Sequence, residues 1–374
     1  MKILSPERMI GSSEKRFFRF FLLKTLFFRE KICYNTEEQG SGHTRHAFPP
    51  SARADRKTDT ENEVLRMSVD VLQAKIRKTK NPTMVGLDPT PELIPPALLE
   101  AAIAEKGENP EALALAYERF CCGILDALKG FVPAVKVQSA CFTAIGHAGV
   151  EAMEAVLAYA QKLKYYVLLE TMRSDVGHIA QLSAQAVFGG IEIGTQRYFP
   201  YPCDGLVING YFGSDGIKPY LPYLEGPEPK NLFVVVRSSN RSAGEVQDLI
   251  SGDRNIHTAM ADLTLRWNGE TRFGKCGYGE VGAVVGGLTP SVIQNLRKRY
   301  DTLFFLITGY GAQGGVAKHA GYAFDRLGHG AIVCASRSIL GAWREPDAPE
   351  DYRQAALAAA EKMKRQLDTY VTVL

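Results

Sequence analysis

Short apolar runs recur along the chain from Ser68 onward, and each run ends in polar or glycine residues. Runs of this length, rich in Val, Ile, Leu and Phe, are typical of strands buried on both faces. Alanine-rich amphipathic stretches at helical spacing, such as Pro110–Leu128 and Ala148–Lys162, lie between most of them. The eight runs are Thr83–Asp88, Ala134–Ser139, Tyr165–Glu170, Gly205–Gly210, Asn231–Ser239, Gly282–Gly287, Leu303–Thr308 and Gly330–Ser336.

The order of these elements predicts the fold. Eight strands that alternate with helices, followed by a closing helix at Asp351–Leu367, predict an α/β fold of the (β/α)8 TIM-barrel type. A doubly wound open sheet is the structural alternative, but the count of eight and the close spacing of the last repeats favour the barrel. The long connection from Gln247 to Tyr278 predicts a helix plus a loop between strands five and six.

The first 66 residues do not follow this pattern. Six Phe residues between positions 17 and 28 alternate with Arg and Lys, and a polar stretch from Asn35 to Arg66 has no apolar period. Such a stretch cannot bury enough surface to offset its ordering entropy, so residues 1–66 are predicted to be a disordered basic extension. A targeting or membrane-surface helix is the alternative for the Phe-containing patch. The barrel domain is expected to span residues 67–374, with Met67 as a candidate for the true start.

Composition excludes several classes of protein. The chain is 45% hydrophobic and 23% charged, which is typical of a globular protein, and no apolar run reaches the roughly 18 residues that a membrane span needs. Residues 1–66 carry a net charge of +4 and the remainder −1, so the main body is not expected to bind nucleic acid. Seven scattered cysteines without a CxxC pair argue against a disulfide framework and a structural zinc site, and for a reducing, cytoplasmic location.

Candidate functional residues lie where the apolar runs end. In a TIM barrel the active site is built at the carboxyl ends of the strands. A single charged residue at a strand end is more often a solvated turn, but a whole set of polar residues at these ends is harder to explain by turns alone. The set comprises Asp88, Lys136, Gln138, Glu170, Asn209, Arg237, Gly287, Gly309, Ser336 and Arg337.

The end of the seventh run predicts a phosphate site. The sequence TGYGAQGG at 308–315 places Gly309, Gly311, Gly314 and Gly315 in one loop, where backbone N–H groups are expected to point into a concavity that suits a phosphate. The eighth run ends in SRS at 336–338, before a helix predicted to start at Ile339. Gln313 and Arg337 are the expected side-chain donors to a phosphate monoester. A glycine loop that only reverses the chain is the alternative, and no nucleotide-binding fingerprint is present.

A second cluster follows the third run. Strand alternation predicts that Glu170 and Met172 lie on the same face at the barrel mouth. Lys136 ends the neighbouring run and is expected to pair with Glu170 or Asp175, which would hold the lysine charged for proton transfer or anion stabilisation. The alternative is a structural ion pair that closes the top of the barrel.

These stretches resemble the orotidine 5′-phosphate decarboxylase family, of the longer bacterial type, over residues 68–344. The matching motifs are VGLDP at 85–89, VKVQSA at 135–140, ETMRSDVG at 170–177, NGYFGSD at 209–215, VRSSN at 236–240, VVGGLTP at 284–290, GYGAQGG at 309–315 and SRSI at 336–339. Their order covers the whole predicted barrel, and the resemblance does not extend to residues 1–66.

The resemblance implies an activity and roles for individual residues. The family removes CO2 from orotidine monophosphate to give UMP in de novo pyrimidine biosynthesis, without a cofactor or metal, and works as a homodimer with shared active sites. Asp88 resembles the aspartate that holds the ribose, Lys136 the first catalytic lysine, and Asp175 the aspartate lent by the partner subunit. Asn209 and Arg237 lie in substrate-binding motifs. Gln313 and Arg337 match the phosphate ligands.

The chain departs from the family at the reacting end. The family's central motif is Asp-x-Lys-x-x-Asp, whereas this chain reads Glu170-x-Met172-x-x-Asp175. Methionine has neither a proton to give nor a charge to stabilise the carbanion that CO2 leaves behind. Other family positions are also changed, to Ile179, Leu288 and Gly210. Two hypotheses follow: a decarboxylase with much reduced activity, or an impaired homologue that binds a pyrimidine nucleotide or another sugar phosphate.

Overall fold

The structure is a computed structural model that describes residues 67–226, 228 and 230–374. The extension predicted at residues 1–66, its two alternative interpretations and the question of the start site lie outside the described residues. No helix in the described part of the chain is long and apolar enough to cross a membrane.

Eight parallel strands close into a barrel, as the alternating pattern predicted. Each strand pairs with the strands that precede and follow it in the chain, and the first pairs with the last. The predicted (β/α)8 barrel is therefore confirmed, and the open sheet is excluded. The strands are β1 (Thr83–Leu87), β2 (Ala134–Gln138), β3 (Tyr166–Glu170), β4 (Gly205–Asn209), β5 (Asn231–Arg237), β6 (Val281–Gly286), β7 (Phe305–Thr308) and β8 (Ala331–Ala335).

Most strands end one or two residues before the apolar runs that predicted them. β1 ends at Leu87 and leaves Asp88 beyond the ladder, and β8 ends at Ala335 and leaves Ser336 beyond it. The side chains within the strands are buried on both faces, as parallel strands covered by helices require. Because the last polar residues of the runs lie at or just beyond the strand ends, they gather at one rim of the barrel.

The helices follow the predicted spacing closely. The helix Pro110–Leu128 has the predicted bounds, and the Asn109 side chain accepts a hydrogen bond from the Ala112 amide (2.9 Å) at its start. The closing helix begins one residue later than predicted, at Tyr352. The helices are Ser68–Thr79, Pro96–Lys106, Pro110–Leu128, Ser139–Thr143, His147–Lys162, Gly177–Ala184, Ser214–Ile217, Gly244–Gln247, Ile256–Asn268, Pro290–Arg299, Ala317–Gly321, Arg337–Leu340 and Tyr352–Asp368.

Two small hairpins interrupt the βα pattern. One pairs Ile191–Ile193 with Gln196–Tyr198 between β3 and β4, and the other pairs Ile250–Ser251 with Arg254–Asn255 between β5 and β6. The second hairpin precedes the helix Ile256–Asn268. The connection between β5 and β6 therefore contains the predicted helix and loop and, in addition, this short hairpin. Both hairpins are short and exposed, which is why no buried apolar run marks them in the sequence.

The amino-terminal end of the barrel is fixed by two polar side chains, Glu280 and Arg297. Glu280 is fully buried and accepts hydrogen bonds from the Val69 amide (3.1 Å) and the Asn231 side chain (3.1 Å), so it holds the first helix against β5 and β6. The Arg297 guanidinium donates to the backbone carbonyls of Ala323 (2.7 Å) and Gly330 (2.8 Å). These contacts leave the opposite, carboxyl rim of the barrel available for a site.

Candidate active site

A cavity of about 230 Å³ opens at the carboxyl ends of the strands, where the sequence predicted the site. Residues from the third, fifth, seventh and eighth strand ends and from β2 contribute to its walls. Its lining includes Asp88, Lys136, Glu170 and Met172 together with Gln313 and Arg337. The two clusters that the sequence singled out therefore share one cavity.

Lys136 is held between two carboxylates at one end of the cavity. Its ammonium donates to Asp88 Oδ1 at 3.2 Å and makes a close ion pair with Glu170 Oε2. Lys136 and Glu170 are each only 4% exposed. They lie in neighbouring strands, whose register places Lys136 beside Leu168 and Gln138 beside Glu170. The predicted pair with Glu170 is formed.

The charge of Lys136 is fixed by its neighbours. Burial disfavours the ammonium, but the carboxylates of Asp88 and Glu170 outweigh this effect and raise the pKa of Lys136 above its usual value. The lysine therefore stays protonated at neutral pH. A permanently charged ammonium stabilises a developing anion, although it gives up its proton reluctantly.

Met172 lines the cavity although it lies beyond the end of β3, so strand alternation does not explain its position. β3 ends at Glu170, and the amides of Thr171 and Met172 both donate to the Val207 carbonyl (3.2 and 3.3 Å). Met172 then takes a left-handed conformation, with φ of 51°. L side chains rarely adopt this conformation, which costs roughly 1–2 kcal/mol. Met172 and Glu170 line the same cavity as expected, and the methionine keeps 42% of its surface exposed.

The glycine-rich loop after β7 forms part of the cavity wall. Gly309, Gly311 and Gly314 have φ values of 82°, 72° and 97°, which glycine adopts without strain. Gly309 and Gln313 line the cavity, whereas Gly311, Gly314 and Gly315 do not. The amides of these three glycines donate to carbonyls within the loop, at 2.8–3.0 Å. The amides of these three glycines are thus used to shape the loop, and the prediction that the loop holds a phosphate stays a prediction.

Arg337 and Gln313 face the same cavity from two different loops. Arg337 opens a four-residue helix, Arg337–Leu340, that starts two residues earlier than predicted. The Tyr310 hydroxyl donates to Gln366 Oε1 at 2.7 Å and so ties the glycine loop to the closing helix. Together the two side chains provide a guanidinium and an amide at one end of the cavity, a donor pair that suits a phosphate monoester.

Arg237, Asp175 and Asn209 also lie outside the cavity lining. Arg237 is buried and donates to both carboxylate oxygens of Asp248 (3.0 and 2.8 Å), and its predicted contact with substrate stays a prediction. Asp175 is exposed and its carboxylate accepts from the Val176 amide (2.8 Å), while Lys136 pairs with Asp88 and Glu170. The side-chain Oδ1 of Asn209 accepts from the Tyr211 amide (3.0 Å).

Some lining residues were missed by sequence reasoning. Ser238 and Ser239 line the cavity directly after Arg237, whose guanidinium donates to the Ser238 carbonyl (3.0 Å) and so positions this segment. Cys334 lines it from within β8, where burial raises the pKa of its thiol to about 12. The signal for the serines was available, because they end the fifth apolar run. No signal marked Cys334, which reads as an ordinary core residue.

A metal centre is not evident in this part of the chain. Among the residues that the structure describes, no group of three or more His, Cys, Asp and Glu side chains is arranged to hold a metal ion. The acidic residues of the cavity are instead paired with Lys136.

Comparison with known proteins identifies the family. The model of the orotidine 5′-phosphate decarboxylase / HUMPS family matches residues 82–352, which include all eight strands of the barrel. This chain belongs to that family. An orotidine 5′-phosphate decarboxylase from Rhodopirellula baltica is 35% identical over 301 residues, with 79% of this chain and 97% of the relative covered. One from Clostridium perfringens is 32% identical over 298 residues and covers 80% of this chain and 97% of its own length.

Solved structures agree with the fold. The structure of Leishmania donovani OMP decarboxylase has a TM-score of 0.61 at 22% identity, and the match covers 81% of this chain and 98% of that chain. The Leishmania donovani UMP synthase structure has the same TM-score at 25% identity and covers 80% of this chain and 56% of that longer chain. The described part of this chain therefore has the fold of these proteins.

Proposed function

We propose that this protein binds orotidine monophosphate in the barrel cavity and converts it to UMP and CO2, without a cofactor, at a rate limited by the absence of a second ammonium. The observation that carries the proposal is the shared cavity, whose lining combines Gln313 and Arg337 with a Lys136 ammonium held between two carboxylates. This arrangement suits a ligand that carries a phosphate at one end and develops negative charge at the other.

The proposed chemistry assigns a task to each end. Arg337 and Gln313 hold the 5′-phosphate, and Asp88 accepts hydrogen bonds from the ribose. The bond between C6 and the carboxylate breaks, its electron pair stays on C6, and CO2 leaves. The Lys136 ammonium stabilises the resulting carbanion, which then takes up a proton from a solvent water to give UMP, and the hydroxide left behind returns to bulk solvent. Lys136 is the only Lys or Arg side chain lining that end of the described cavity.

Slow turnover follows from the side chain at position 172. Met172 offers neither charge nor proton, and Lys136 is held charged by two carboxylates. General acid catalysis is typically worth 10²–10⁴-fold, and a preorganised charge adds several kcal/mol. This same observation favours a second candidate function, namely binding of a pyrimidine nucleotide or another sugar phosphate without turnover.

The proposal includes a homodimer. Asp175 lies outside the cavity of its own protomer, and exposed apolar side chains lie nearby on its own loop, on the helix Gly177–Ala184 and on the loop after β4: Val176, Leu182, Tyr211 and Phe212 are 47%, 61%, 73% and 53% exposed. An apolar surface beside the mouth of the cavity suits an interface between two copies. A cytoplasmic location and a role in de novo pyrimidine biosynthesis are part of the same proposal, which the free thiols of the described cysteines support.

The test compares turnover with binding. Loss of orotidine monophosphate absorbance is followed for the wild type and Lys136→Gln, and UMP binding to both is measured by calorimetry. We expect slow wild-type turnover that Lys136→Gln abolishes, with UMP binding retained in both proteins. Wild-type protein that binds UMP but shows no turnover would favour the binding function. Protein that binds neither nucleotide would contradict both candidates.

A further inference from the structure

One hydroxyl in the cavity is buried and has no hydrogen-bond partner. Ser336 Oγ is inaccessible to solvent, and no group in the described part of the chain donates to it or accepts from it. A buried hydroxyl without a partner costs about 1–3 kcal/mol, so proteins seldom retain one without a reason. Ser336 is also one of the residues that line the cavity.

The position of Ser336 indicates which ligand group it faces. A Cβ atom placed on Gly86 would lie 3.0 Å from Ser336 Cβ and 3.2 Å from Asp88 Oδ1, so Ser336 and Asp88 come together over this glycine. The next residue in the chain is Arg337. Ser336 therefore stands between the carboxylate proposed to hold the ribose and the guanidinium proposed to hold the phosphate.

We propose that Ser336 is a further substrate-binding residue, whose hydroxyl gains its missing hydrogen bond from an oxygen of the ligand's phosphoribosyl group. The inference rests on the proposed function, since it takes the ligand to be a nucleoside monophosphate. The site thus keeps one hydroxyl unsatisfied in the free protein and satisfies it on binding. Such an arrangement lowers the stability of the free protein and raises its affinity for the ligand.

The proposal predicts that one substitution raises the stability of the free protein and lowers its affinity for the ligand. In Ser336→Ala the unpartnered hydroxyl is removed, so we expect the melting temperature of the free protein to rise by about 2 °C or more. The same variant loses one hydrogen bond to the ligand, so we expect dissociation constants to rise about threefold to tenfold. A residue with a merely structural role would not raise stability and lower affinity together.

Two probes and one control variant complete the experiment. UMP and ribose 5-phosphate are titrated by calorimetry into the wild type, Ser336→Ala and Ser338→Ala. Ser338 is an exposed neighbour that lines a different groove, so its variant should leave both constants unchanged. An equal loss for the two probes in Ser336→Ala is the expected result, because both carry the phosphoribosyl group.

The contrary outcomes are distinct. A loss for UMP alone would place the hydroxyl against the base and overturn the inference. Unchanged constants for both probes in Ser336→Ala would overturn it while leaving the proposed function intact. Wild-type protein that binds neither probe would contradict the proposed function and this inference with it.

Discussion

Met172→Lys restores the charge that the cavity lacks. At present the reacting end holds one ammonium, Lys136, and two carboxylates, Asp88 and Glu170. A lysine at position 172 adds a second cation and balances this charge. Met172 is 42% exposed, so the new ammonium retains water and its desolvation cost is modest. Its left-handed backbone is as strained for lysine as for methionine, so the change isolates the charge.

The expected gain follows from what the new ammonium supplies. A positioned general acid is worth about 10²–10⁴-fold in rate, which corresponds to about 3–5 kcal/mol of barrier. The gain should appear in kcat, because the carbanion forms only during the reaction. Glu170 is one methylene longer than the aspartate of the family motif, which displaces its carboxylate. The double variant Glu170→Asp/Met172→Lys is therefore expected to be faster than Met172→Lys alone.

The assay follows loss of orotidine monophosphate absorbance with purified wild type, Met172→Lys and Met172→Leu. Met172→Leu is the matched control, since it changes the side chain without adding charge and should leave kcat within about threefold of the wild type. UMP binding and a thermal melt show that each variant is folded. If Met172→Lys is folded, binds UMP and turns over no faster than Met172→Leu, the assignment of the rate limit to position 172 is refuted.

Three further predictions test parts of the fold and the loop. Arg297→Met removes a partly buried guanidinium that donates to several backbone carbonyls and lies 3.8 Å from the centre of the Phe305 ring, so unfolding in urea should show a loss of about 1.5–3 kcal/mol. Burial raises the pKa of Glu280 to about 8 from 4.5, so its contribution is fully present below pH 4.5 and is lost as pH approaches 8. The melting temperature of the wild type relative to Glu280→Gln should therefore fall between pH 5 and pH 8, and a rise would reverse the assigned sign. Gly309→Ala places a Cβ 2.6 Å from Gln313 Oε1 at φ of +82° and should weaken UMP binding at least tenfold, whereas Gly130→Ala, at φ of +77° with no atom within 4 Å, should lower stability alone.

The barrel could be predicted because its strands are covered on both sides. Burial of both faces produces continuous apolar runs, and these locate all eight strands to within two residues. The two hairpins could not be found this way, because their residues are mostly exposed and carry no apolar period. Their strands of two or three residues are set by turn geometry and by the neighbouring chain.

The sequence allowed the residues that line the site to be grouped, but it did not predict all of their contacts. Strand ends must meet at one rim, so Lys136, Glu170, Gln313 and Arg337 could be grouped from the sequence. Arg237 ends a strand in the same way, yet it turns to Asp248, a partner that belongs to an irregular segment. The left-handed backbone at Met172 is likewise invisible in the residue pattern. Contacts made by irregular segments are decided by three-dimensional packing, which the spacing of residues does not encode.

The central claim is that the cavity grips a phosphate with Arg337 and Gln313. Calorimetric titration of UMP and uridine into the wild type and Arg337→Ala tests it most directly. A charge-assisted hydrogen bond is worth about 1.5–3 kcal/mol, so Arg337→Ala is predicted to weaken UMP binding by about 10–150-fold and to leave uridine binding unchanged. An unchanged affinity for UMP, or an equal loss for UMP and uridine, would contradict the account.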